Sequence, residues 1–104
     1  MYNKTNERHN PQYPNARAIR RACSKELYRT AKRLKTWISP ELMKQAEDTY
    51  YKQVVLNLAV IVEMQSNRKA QADWWEEHVS GDIAELWQVE PAVLNRAFRD
   101  AYGG

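Results

Sequence analysis

The stretch SPELMKQAEDTYYKQVVLNLAVIVEM, Ser39 to Met64, decides how this chain folds. Ser39-Pro40-Glu41 reads as a helix start: a hydroxyl to cap free amides, a proline where no amide is needed, and an acid at the positive helix end. Leu42, Ala46, Tyr50, Val54, Leu58 and then Ile61 or Val62 recur at steps of three or four, the spacing of one helical face. Beyond Gln53 the polar back of the helix disappears, and Val54 to Val62 offers only Asn57 to water. A helix that is apolar all round is enclosed by other helices or forms half of a dimer interface. This run has nine residues, whereas a membrane span needs about twenty, so no membrane partner is expected. Its β-branched residues would suit a buried strand, yet helical spacing leads in from both sides.

Working outward, a chain of 104 residues is one domain with room for a core and little spare stability. Hydrophobic residues at 43% against charged ones at 28%, with three Gly and four Pro, fit a helical globular protein and exclude a disordered one. Met1 to Asn15 holds no apolar run, so no secretory signal is expected. Cys23 is the only cysteine and can form no internal disulfide, which points to a reducing, cytoplasmic setting. Two separate histidines and one cysteine do not make a zinc site, and no cofactor is expected. A Gly-rich phosphate loop and a Gly-x-Ser-x-Gly elbow are both missing, and Cys23 lies on an inferred buried face, so the chain does not read as an enzyme.

Residues 1–15 are polar and carry Pro11 and Pro14, which predicts a flexible tail that docks locally through Tyr2 or Tyr13. The helical domain is expected over residues 16–104. Its first helix is predicted from Ala16 to Trp37, with Ile19, Cys23, Leu27, Ala31, Leu34 and Ile38 on one face. On the other side Arg17, Arg21, Lys25, Arg29 and Lys32 repeat every three or four residues, with Arg20, Arg33 and Lys35 beside them. Met1 to Ile38 holds ten Lys/Arg and two acids, a net charge of +8, while the whole chain is only +3; the remainder is therefore −5. A basic stripe at helical spacing can track phosphates. The competing reading is a solvated face neutralised by the acidic remainder of the same chain or of a second copy.

After a break at Ser66-Asn67-Arg68-Lys69, helical spacing resumes from Ala70 to Val79. Trp74 and Trp75 are adjacent and cannot enter the same groove, so one is expected in the core and the other at a rim or interface. Glu76, Glu77 and His78 read as a solvated face. From Asp82 to Phe98 the chain reads DIAELWQVEPAVLNRAF. Ala84 is small where two helices would approach, Ile83, Trp87, Val89, Leu94 and Ala97 would fill the angle between them, Ser80 is a candidate cap, and Pro91 can begin the second helix.

This segment resembles the helix-turn-helix unit of bacterial repressors, especially the D-[VI]-A-E-x-x-G-V-S-x-x-T-V-S-R form of the LacI-type regulators. The resemblance covers about twenty residues of 104 and implies a recognition helix from Pro91 to about Ala101, within a unit spanning about 70–101. It implies Ala92, Asn95, Arg96 and Arg99 as nucleic-acid contacts, Asn95 toward adenine edges and Arg96 toward a guanine or a phosphate. Two departures stand out. Gln88 occupies the turn position usually held by glycine, and six acids lie between Asp73 and Glu90 without a Lys or Arg among them.

The reading as a whole is an all-α, single-domain bundle of four to five helices with a long central helix and a C-terminal helix-turn-helix-like pair. It expects a small nucleic-acid-binding regulator and a homodimer. The alternative is a helical adaptor or inhibitor that binds a protein partner through the first helix or the Trp74/Trp75 region, with no nucleic-acid binding.

Overall fold

The computed structural model describes residues 13–104, and among them the chain forms six α-helices and no strand. The tail expected over residues 1–15 falls outside these except for Tyr13, Pro14 and Asn15. Asn15 caps the first helix: its Oδ1 accepts from the amide of Ala18 at 2.8 Å and starts α1, Ala16–Leu34. The helix stops short of the predicted Trp37. Lys35 turns left-handed (φ 56°, ψ 32°) and donates its amide to Lys32 O, which closes the last turn.

Ser39 caps α2, Pro40–Leu56, by accepting from Leu42 N at 3.1 Å, with Pro40 in the first turn. The predicted uninterrupted helix to Met64 does not form. Asn57 Nδ2 donates to Gln53 O at 2.8 Å, and the Asn57 amide is shared between Gln53 and Val54 carbonyls. This side-chain bond competes with the helical ladder and separates α2 from the short α3, Leu58–Glu63. The break accounts for six helices where four to five were expected.

Asn67 caps α4, Arg68–His78, through a bond from Ala70 N at 3.0 Å. Val79 alone separates α4 from α5, Ser80–Trp87. The expectation that Ser80 caps this helix is corrected: Ser80 lies inside α5, buried, and its hydroxyl donates to Asn95 Oδ1. Pro91 opens α6, Pro91–Tyr102, and Gly103 ends it at φ 92°, a conformation in which a side chain would be strained.

Helix α1 lies antiparallel on α2. Arg20, near its start, donates to Asp48 at 2.8 Å and stacks on the Tyr51 ring at 4.1 Å, whereas Ala31, near its end, shares a groove with Met43. The most extensive neighbour of α1 is α6, which also contacts α4 and α5. Ile19, Cys23 and Leu27 of α1 meet Ala46, Tyr50 and Val54 of α2 and Leu94 and Phe98 of α6 in one core. At its centre Trp75 and Phe98 stack with ring centroids 3.8 Å apart, and Tyr50 stands edge-on to both. Such aromatic pairs add about 0.5–1.5 kcal/mol beyond burial of their area.

Both tryptophans of the adjacent pair are buried, at 8% exposure for Trp74 and 0% for Trp75, which corrects the expected rim position of one of them. Trp75 takes the core side of α4, and Trp74 is covered by stacking on His78 one turn later. The tryptophan left in solvent is Trp37, 80% exposed.

Candidate nucleic-acid interface

On a helix that turns 100° per residue, Arg17, Arg21, Lys25, Arg29 and Lys32 fall on the side opposite Ile19, Cys23 and Leu27. In the structure all five are exposed and the three apolar residues are buried. The stripe runs roughly 22 Å along α1 at 1.5 Å per residue. Among the described residues, none of the five lies within ion-pair distance of an acid. Arg20, at the edge of this face, behaves differently: its guanidinium binds Asp48 and reaches Glu47 at 3.5 Å, and it holds the Asp48 carboxyl below its usual pKa. The acidic remainder of the chain therefore takes Arg20 and leaves the stripe charged.

Two exposed aromatic residues extend this surface. Tyr28 stands 61% exposed within the basic stripe. Trp37 follows the left-handed Lys35 and borders a groove of about 510 Å³, together with Tyr28, Lys32, Met43 and Lys44. The available signal for Tyr28 is its phase: it falls between Arg17 and Arg21 around the helix. Trp37 carries no such signal, because its exposure follows from the early end of α1.

The C-terminal candidates divide. Gln88 takes the left-handed conformation (φ 56°, ψ 51°), and Val89 N donates to Ala84 O at 2.9 Å, so the turn closes without glycine. Ala92 and Arg96 are exposed on α6. Asn95 is half-buried and receives the Ser80 hydroxyl proton, which occupies its side-chain oxygen. Arg99 points into the protein's own acids. Its Nε donates to Glu76 and its Nη2 to Asp73, each at 2.5 Å, while Nη1 donates to Gly104 O at 3.0 Å. These bonds raise the Arg99 pKa, with Glu76 the larger cause, and lower that of Asp73, with Arg99 the larger cause. Arg96 is thus the one cation of this group facing solvent, and Glu90 and Asp100, which flank it on the chain, are also exposed.

Cys23 is 2% exposed, and burial pushes its thiol up to about 12, so it stays protonated at neutral pH. Among the described residues no group of three or more His, Cys, Asp or Glu could hold a metal ion, and no helix is long and apolar enough to cross a membrane. No protein-family model matches the chain, and searches of curated proteins and of solved structures return no match.

Proposed function

We propose that this protein is a small nucleic-acid-binding regulator whose affinity comes from the outer face of α1. The observation that carries the reading is the row of five exposed cations, Arg17, Arg21, Lys25, Arg29 and Lys32, without an acidic partner among the described residues. Unneutralised cations at helical spacing bind phosphates by displacing counterions, and phosphate contacts position a protein without reading sequence. Base reading falls to the exposed start of α6, the helix-turn-helix-like pair's second member, through Ala92 and Arg96. Asn95 and Arg99, bound to Ser80, Glu76 and Asp73, act in this account as parts of the frame that holds α6.

Self-association belongs to the same proposal. Val55, Leu56 and Val60, at 44%, 67% and 47% exposure, form an apolar strip with Ala59 across the α2–α3 break. A dimer through that strip would present two α1 faces and two α6 helices, as two half-sites require. The same strip favours a second reading, an adaptor that binds another protein through it.

Selection from a random duplex DNA pool tests the regulator reading. Wild type is expected to enrich a motif that Arg96→Ala no longer enriches, while both bind bulk DNA. Failure to enrich any motif would remove the sequence-reading regulator, and failure to bind DNA would remove duplex DNA as the partner.

A further inference from the structure

A cavity of about 200 Å³ lies beneath α1, away from the basic stripe, and its wall combines α1, α2, α3, α4 and α6. Most of its lining is apolar: Ile19, Val54, Leu58, Ile61 and Phe98. Two polar side chains in that wall are incompletely bonded. Oε1 of Glu26 and Nε1 of Trp74 are both buried, and neither has a hydrogen-bond partner among the described residues. Two neighbouring polar side chains are already committed to each other and to the backbone: Gln71 donates to Met64 O at 2.8 Å and accepts from the Tyr102 hydroxyl.

A buried acceptor or donor left unbonded is costly, and a buried carboxylate more so. Lys25, Arg29 and Arg68 act on Glu26 through space, but burial dominates and pushes its carboxyl pKa up. No side chain of the described residues bonds its inner oxygen. What the wall lacks is a donor at Glu26, preferably a charged one, on a body that fills an apolar space larger than the roughly 150 Å³ that holds benzene.

We infer that the cavity is a binding site for a small primary amine carrying an aromatic or branched apolar body, with its ammonium group donating to Glu26. An acceptor on the same molecule would engage Trp74 Nε1, and a ligand without one would leave that indole unbonded and bind less tightly. Specificity arises from charge at one end of the cavity and from shape at the other.

The probe pair is 2-phenylethylamine and phenylacetate, close in size and opposite in charge, titrated into the full chain at pH 7 by calorimetry. The amine is expected to bind with a Kd of about 0.1–1 mM, in keeping with its few non-hydrogen atoms, and phenylacetate at least tenfold more weakly. Glu26→Gln should weaken the amine about tenfold and narrow the gap between the two probes. Ile61→Trp, which fills the cavity, should block both. Circular dichroism confirms that each variant is folded, and because Glu26→Gln is nearly isosteric it keeps the test valid if Ile61→Trp unfolds. No saturable binding of the amine, equal binding of the two probes, or an unchanged amine affinity in Glu26→Gln would each overturn the assignment.

Discussion

Arg99 on α6 donates through Nε to Glu76 on α4 at 2.5 Å, and this pair, extended by Asp73, fixes the angle between the two helices. A residue that sequence spacing places on a nucleic-acid-reading surface is thereby an internal tie. Arg99→Ala is expected to lower the thermal midpoint by a few degrees, because Glu76 and Asp73 lose their shared partner. DNA affinity should stay within about twofold of wild type. A drop of tenfold or more in a folded Arg99→Ala protein would return Arg99 to the interface.

The aromatic stack at the core centre makes a sharper demand on stability. Phe98 is 1% exposed and touches Trp75, Tyr50 and Tyr102 by ring contact. Phe98→Ala is expected to cost about 3–5 kcal/mol, the range for emptying such a site. Against a folding free energy of about 5–15 kcal/mol that is a large share, so urea unfolding should show a strongly lowered midpoint. A loss under about 1 kcal/mol would mean that the four-ring cluster is not where the fold is held.

Glu26 ties stability to pH in a direction opposite to most carboxylates. Burial raises its folded-state pKa, so the native chain holds its proton more tightly than the unfolded chain does. Stability is therefore lost as pH rises from the unfolded carboxylate value near 4 through the raised one. Glu26→Gln is expected to raise the thermal midpoint at pH 7, modestly because water still reaches part of the side chain. The advantage should vanish at about pH 4. Thermal melts at the two pH values decide it, and a variant less stable at pH 7 would contradict the account.

Self-association rests on the strip at the α2–α3 break. Leu56→Lys with Val60→Lys is expected to convert a dimer at tens of micromolar into a monomer in sedimentation velocity. The change in unfolding free energy of the protomer should stay within about 0.5 kcal/mol, because both positions are solvent-facing. Wild type that sediments as a monomer throughout would leave the strip to another partner.

Much of the fold was legible because it depends on local chemistry. The cap at Ser39, the proline start at Pro91 and the buried faces of α1 and α2 follow from residue type and spacing, and the structure agrees at Ile19, Cys23, Leu27, Ala46, Tyr50 and Val54. The break at Asn57 was hidden inside a hydrophobic run, because apolar periodicity does not register a side chain bonding back to Gln53. The end of α1 was hidden because Lys35 carries no signature of a left-handed cap. At the candidate site, the stripe on α1 was readable from phase alone. The fates of Asn95 and Arg99 were not, since their partners lie 15 to 26 residues away and meet them only once α4, α5 and α6 have packed.

The central claim is that α1 meets nucleic acid through unneutralised charge, and salt reads this most directly. Fluorescence anisotropy of a random-sequence duplex across about 50–200 mM salt should give a slope of log affinity against log salt of about −4 to −5, as five phosphate contacts require. Arg21→Glu with Lys25→Glu should weaken binding more than tenfold and reduce the slope by about two. No binding at the lowest salt, or an unchanged slope in the doubly reversed protein, would contradict the account.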